Sequence, residues 1–434
     1  MIQRLLSLAG PIILANLASP LLGLVDTAVI GQLGDVVLLG ALALATMIFN
    51  FIFWGFGFLR MGTTALVAQA KGRKDNQAAT DVLMRSLLLA SLLGITLWLI
   101  QQPLHALVFS LTGASQAVEA ATSTYYQIRI WGAPIHLMIL AIMGYLLGQQ
   151  RTRQVLLLQV ILNGSNIIFD LVFVVFLNWS VAGVAAATLL AEVITLFLAF
   201  AIVFQPLLSP RAQLFNARLL DWPSLKTMLS IHRDIMIRTL CLIFAFAWFT
   251  DSGARLGDDF LAANLLLMQF VTFSAFFIDG FAMAGESLIG EAHGQANPTS
   301  IQTVIRAAFL SGAGIASLLT LGFFLFSAPI LHLLTTNREI VEVALEHQIW
   351  MLLTPLISFP AYIYDGLFIG ATKTREMRNA MLIALAVYLI TWFLTQNLLN
   401  HGLWLALMIY YVARASSLAY YHLTLYRFHS SHET

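Results

Sequence analysis

The sequence predicts an all-α polytopic membrane protein: twelve transmembrane helices in two six-helix lobes, related by a pseudo-two-fold axis along the membrane normal. Three observations carry that expectation: a composition nearly empty of charge, apolar runs long enough to cross a bilayer, and an internal repeat. Hydrophobic residues are 59% of the chain and charged residues only 10%, where soluble domains carry about 25% charge. A chain so poor in charge cannot cover a water-facing surface and belongs in lipid.

The second half repeats the first about 222 positions later. Gly148-Gln-Gln-Arg-Thr-Arg153 returns as Gly370-Ala-Thr-Lys-Thr-Arg375, and Gly144-Tyr-Leu-Leu-Gly148 as Gly366-Leu-Phe-Ile-Gly370. Leu33-Gly34-Asp35 matches Leu256-Gly257-Asp258, and Leu66-Val-Ala-Gln-Ala-Lys-Gly72 matches Leu288-Ile-Gly-Glu-Ala-His-Gly294. Pro134 has its counterpart at Pro355. In an apolar chain, such a duplication is the usual plan of a secondary transporter, two bundles around a central cavity.

Apolar runs of about 20 residues or more place spans at 3–30, 36–70, 78–108, 117–149, 154–177 and 181–205, then at 226–251, 259–291, 300–328, 338–371, 376–398 and 402–426. The expected organisation is an N-terminal lobe over 1–205, a cytoplasmic linker over 206–225 and a C-terminal lobe over 226–434. The linker is marked by Pro206, Pro210, Pro223, Arg211 and Arg218. Met1 to Pro20 superficially resembles a signal peptide. Its apolar run continues past Asp26 to Ile30, however, and reads as a retained first span.

Basic residues set the orientation. Lys71, Arg73 and Lys74 follow span 2; Arg151 and Arg153 follow span 4; Lys373, Arg375 and Arg378 follow span 10. The opposite loops hold little more than Arg255 and Arg338. Both termini are therefore expected in the cytoplasm. Six spans per half start both halves on the same side, which makes the repeat parallel rather than inverted.

Several function classes are excluded. A net charge of +1 provides no basic face for nucleic acid. A single cysteine, Cys241, leaves no intrachain disulfide. The ten histidines show no metal-ligand spacing and no GK[ST] phosphate loop occurs, so no metal, no cofactor and no enzymatic chemistry is expected. His347, in the Glu346-His347-Gln348 run, is expected at the interface.

Charged groups at mid-membrane are costly, so each is a functional candidate. Asp26 lies in span 1; Asn163, Asn166 and Asp170 in span 5; Thr188 and Glu192 in span 6. Asn166 with Asp170, and Thr188 with Glu192, are each four residues apart and share a helical face. At 1.5 Å per residue, Asp170 lies roughly 24 Å from the cytoplasmic start of its helix and Thr188 roughly 10 Å from the outer start of its own. In a core roughly 30 Å thick these depths nearly coincide. The three helices thus present Asp26, Asn166, Asp170 and Thr188 to one another as an expected proton or cation site. Two close carboxylates titrate as a coupled pair, which suits uptake of a proton on one side and release on the other. Asn50, Asn163 and Glu192 are candidates for the cavity or its polar network.

The second half has no such set. Leu385-Ala-Val-Tyr-Leu-Ile-Thr-Trp392 contains no Asn or Asp, and Asp26 aligns near Phe249. Asp279, Glu286, Glu291 and Asp365 are expected around the second lobe's cavity, and Asp234 with Arg238 is expected to pair across one helical turn. Pro11 and Pro20 each remove a backbone hydrogen bond from span 1 and permit a bend.

These residues resemble the MATE (multidrug and toxic compound extrusion) family over essentially the whole chain. The resemblance rests on Pro11 followed by Asp26, Val25-Asp26-Thr27 with Gly31-x-Leu33-Gly34, Asn166-Ile-Ile-Phe-Asp170 and Gly183-Val-Ala-Ala-Ala-Thr188. Arg233-Asp-Ile-Met-Ile-Arg-Thr239 and Asp279-Gly-Phe-Ala-Met-Ala-Gly-Glu286 resemble the DinF-like bacterial branch. The resemblance implies a V-shaped pair of lobes in a bacterial inner membrane. It implies a monomer exporting amphipathic, often cationic small molecules in exchange for inward ions. It also implies a proton site at Asp26, Asn166, Asp170 and Thr188 with Tyr125, and a hinge at Pro11. Sodium-coupled relatives use acids in helices 7 and 10. Here Leu242-Ile-Phe-Ala-Phe-Ala-Trp248 has none, which favours protons over sodium. The alternatives are a sodium-coupled antiporter of the same family and a lipid or lipid-linked sugar flippase. The scarcity of mid-span basic residues counts against the flippase.

Overall fold

The computed structural model describes residues 1–110, 112–204 and 219–427. Among them every regular element is helical. Eleven helical stretches are long and apolar enough to cross a membrane. The last, Thr374–Tyr420, is broken by a 3-10 turn at Gln396–Leu398 and by Leu399 at φ 50, so it supplies two crossings. The first set is α1 (Ile2–Gly31), α2 (Val36–Gly72), α3 (Asn76–Leu99), α4 (Gln116–Gly148), α5 (Thr152–Phe176) and α6 (Ser180–Phe204). The second is α7 (Trp222–Leu256), α8 (Asp258–Gly294), α9 (Pro298–Leu334), α10 (Arg338–Gly370), α11 (Thr374–Thr395) and α12 (Leu399–Tyr420). Of the expected linker, positions 206–218 lie outside the described residues. Its last residues already begin α7, where the Asp221 carboxylate accepts from Ser224 N at 3.1 Å.

Glycine and proline explain the departures from uniform helices. α2 carries a 3-10 turn at Gly55–Gly57, and α4 one at Ile130–Gly132 just ahead of Pro134. The third span was expected to run to residue 108. Its helix ends instead at Leu99, and a separate helix, Gln101–Ser110, starts just before Pro103, which has no N–H to continue the ladder.

The repeat holds at the level of atoms. The turns after α4 and α10 put Gln150 and Thr372 in the left-handed region (φ 60 and 55). They close with Arg151 N donating to Leu146 O at 2.8 Å and Lys373 N to Phe368 O at 2.9 Å. The turns after α2 and α8 do the same with Lys74 and Ala296, and the next residues, Asp75 and Asn297, cap the following helices through Ala78 N and Ser300 N. A Cβ on Gly144 would lie within 3.0 Å of the Arg60 carbonyl oxygen, and one on Gly366 would meet that of Ala282. Gly148 and Gly370 likewise abut the carbonyls of Thr64 and Glu286. Small residues at these crossings let helix backbones touch, the usual way helices associate in lipid.

Contacts divide the chain into two units, Leu14–Leu229 and Met1–Ile13 with Ser230–Thr434. The division falls inside α1, just past Pro11; α1 itself is assigned as one helix through Pro11 and Pro20. In the second unit the core is aromatic, with Phe249, Tyr388, Trp404, Tyr410 and Tyr411 all buried. Large apolar side chains such as Leu92, Phe197, Phe324 and Leu394 stand exposed on the helices, as lipid-facing positions do.

Candidate functional site

Four helices of the Leu14–Leu229 unit converge on one polar cluster. Asp170 is 0% exposed at the end of the α-helical part of α5, and the next six residues, Leu171–Phe176, wind as a π-helix. π-helical segments of this kind recur at functional sites. The Asp26 carboxyl on α1 lies within hydrogen-bonding reach of Asp170. Two carboxyl groups at that separation form a hydrogen bond only while one of them holds a proton. The Asn166 amide, one turn before Asp170, bridges the cluster. Its nitrogen donates to Asp170 Oδ2 at 3.0 Å and its oxygen accepts from Thr188 Oγ1 on α6 at 3.1 Å. Tyr125, buried on α4, brings its hydroxyl within hydrogen-bonding reach of Thr188.

The structure thus brings together Asp26, Asp170, Asn166, Thr188 and Tyr125. Asn163 is buried but takes a bond from Gln159 Nε2 on its own helix, at 3.2 Å. Asn50 is exposed on α2. In the second unit the positions 222 residues beyond Asn166 and Thr188 are Tyr388 and Tyr410. Their rings pack at 5.8 Å, so an aromatic contact stands where the first unit has an amide–hydroxyl one. Phe249, aligned with Asp26, packs edge-on against Trp404 at 5.1 Å.

Glu192 has partners that sequence reasoning missed. Arg129 on α4 grips both of its oxygens, Nη2 to Oε1 at 2.6 Å and Nη1 to Oε2 at 2.9 Å. His136 Nδ1 meets the same Oε1 at 2.8 Å. A signal for the pair was available: Arg129 lies one turn beyond Tyr125, as Glu192 lies one turn beyond Thr188.

Two expectations about the second half are corrected. Arg238 does not pair with Asp234, one turn away, but reaches Asp365 with Nη2 at 2.5 Å. Asp365 in turn is sequestered between Arg238 and Arg414 rather than lining a cavity, while Asp234 is held by Arg233 and Arg378 at 2.9 and 2.8 Å. His347 is buried, at 2% exposure; its Nδ1–H donates to Val343 O at 2.8 Å and its ring stacks on His401. Helix rotation decides these pairings: neighbours four apart share a face, but they pair only where that face meets no better partner. Basic residues do occur within the spans, at Arg129, Arg238 and Arg414, and each of them is engaged by a buried carboxylate.

The family model MatE matches residues 11–172 and again 235–394, once in each half. The chain is 39% identical over 418 residues to the DNA damage-inducible protein F of Escherichia coli K12, covering 96% of this chain and 91% of that protein. It is 26% identical to the probable multidrug resistance protein NorM of Rhizobium meliloti, over 78% of this chain and 73% of the relative. A solved MATE structure in complex with MaD3S superposes with a TM-score of 0.86 at 22% identity, covering 98% of this chain and 96% of that one.

Proposed function

Because the chain belongs to the MATE (multidrug and toxic compound extrusion) family, we propose that it is a multi-pass membrane exporter that expels amphipathic or cationic small molecules in exchange for inward protons. It is a transporter rather than an enzyme. The observation that carries the coupling is the cluster in the Leu14–Leu229 unit: two carboxyl groups, Asp26 and Asp170, within hydrogen-bonding reach and buttressed by Asn166, Thr188 and Tyr125. A lone buried charge is costly in lipid, whereas a pair that shares a proton and is hydrogen-bonded by neutral groups gains or loses one proton at modest cost.

In this reading the protein works as a monomer in a bacterial inner membrane. Its lobes are residues 1–205 and 226–434, both termini and the 206–225 linker are cytoplasmic, and the exposed Asn50 and buried Asn163 belong to the substrate cavity or its margin. Pro11 is the hinge. Two facts support that role: proline lacks the N–H of an unbroken ladder, and the grouping of α1 into two units changes just past it. Loading Asp26 then biases the bend of α1, and the bend reshapes the cavity.

The test is uptake of a fluorescent organic cation into proteoliposomes under a pH gradient or a sodium gradient imposed separately. Accumulation driven by the pH gradient alone is expected. Drive by sodium alone would replace the coupling ion. No response to either, together with lipid translocation, would replace the reading with a flippase.

A further inference from the structure

The Arg129–Glu192 pair lies one helical turn from the proposed ion site and has no role in the reading above. It is built with care. Glu192 is 2% exposed and Arg129 is 5% exposed. The guanidinium lies over two rings of α2, at 5.6 Å from Phe49 and 5.0 Å from Phe53. A Cβ on Gly132 would fall within 3.0 Å of both Arg129 Nη1 and Glu192 Oε2, so the pair occupies the space that this glycine leaves open. His136, stacked on Phe53 at 4.2 Å, shares the Glu192 Oε1 oxygen with Arg129.

Two rungs therefore join α4 to α6. Tyr125 meets Thr188 on the first, which belongs to the Asp26–Asp170 cluster. Arg129 meets Glu192 on the second. The Tyr125 hydroxyl feels the charges of Arg129, Asp26 and Glu192 together, so the two rungs share one electrostatic neighbourhood. The charged and titratable groups around it are Tyr125, Arg129 and His136 from α4, Glu192 from α6, Asp170 from α5 and Asp26 from α1; α2 presents Phe49 and Phe53.

From this arrangement we infer that Glu192 is a positioning residue of the ion-coupling site: it neutralises Arg129, so that the coupling cation and not the guanidinium is the counter-charge of Asp26 and Asp170. An uncompensated guanidinium one turn away would oppose any cation entering the carboxylate pair. In a low-dielectric lobe that repulsion is strong: a unit charge about 10 Å away at an effective dielectric of about 20 changes cation affinity on the order of tenfold. His136 keeps Glu192 turned towards Arg129. The inference rests on Asp26 and Asp170 being the coupling-ion site.

The experiment measures, in proteoliposomes of the full chain, the inward cation concentration that half-saturates export, alongside Asp26→Asn. Glu192→Gln is expected to raise that concentration on the order of tenfold, an acid shift of about one pH unit for a proton-driven protein, with the maximal rate retained. Arg129→Gln, which removes the cation and leaves Glu192 on His136, is expected to lower it, and the double variant to return close to the parent. An unchanged value in Glu192→Gln overturns the inference, as does a double variant that stays shifted. If Glu192→Gln does not accumulate, Arg129→Gln decides alone: a lower half-saturation supports the inference, and an equal or higher one overturns it. Retained pH-driven export in Asp26→Asn instead removes the underlying assignment of the ion site.

Discussion

Arg238 closes on Asp365, 127 positions away in sequence, and leaves Asp234, on its own helix face, to Arg233 and Arg378. Asp365 and Arg414 are both buried, at 4% and 0% exposure, so this carboxylate is the counter-charge for two buried guanidinium groups, with the Arg414 guanidinium also over the Tyr362 ring at 5.3 Å. Removing one partner of a buried pair leaves charge without compensation. Asp365→Asn is expected to cost about 3–5 kcal/mol, read as a large drop in melting temperature of the detergent-purified protein. A melting temperature equal to the parent's would show that the arginines find other partners.

Asp26→Asn keeps the size and most of the hydrogen-bonding capacity of the side chain but cannot take up and release a proton. Export driven by a pH gradient should fall to background, while expression and the size-exclusion profile stay near those of the parent. Equal transport by the variant would remove Asp26 from the coupling site.

The glycines of the repeat make a paired prediction. Gly144→Ala and Gly366→Ala each push a methyl group into a neighbouring helix carbonyl, at Arg60 and Ala282. Backbone cannot yield as a flexible side chain can, so each variant is expected to lose about 1–3 kcal/mol of stability. Gly314→Ala, where a Cβ meets nothing within 4 Å, is the control that should stay at the parent's melting temperature.

Asn264 satisfies three buried contacts in the second unit. Its amide exchanges bonds with Asn400 at 2.7 and 3.0 Å, and its oxygen accepts from Trp404 Nε1 at 2.8 Å. Asn264→Leu strands the Asn400 amide and the indole N–H in an apolar setting, at about 1–3 kcal/mol for each unsatisfied group. Asn264→Ala/Asn400→Ala, which removes both amides, is expected to be less than additive, as measured by thermal unfolding in detergent.

What the sequence determined by itself is what local chemistry controls. Apolar runs marked the spans, because in lipid every backbone group must be satisfied within a helix. The 222-residue repeat predicted matching turns, and Gln150 with Thr372, or Asp75 with Asn297, adopt them because chain reversal and capping involve only a few neighbouring residues. Asn166 and Asp170 share a face because a helix has a fixed period. Only the tertiary structure decided which faces meet. Helix rotation is set by packing around contacts such as Gly148 on the Thr64 carbonyl, and no residue in isolation encodes it. That rotation sent Arg238 to Asp365 instead of Asp234, put Arg129 and His136 on Glu192, and joined Asp26 to Asp170 across 144 residues of chain. A charge in a low-dielectric interior takes the partner that geometry delivers, and here that geometry is the sum of many helix contacts.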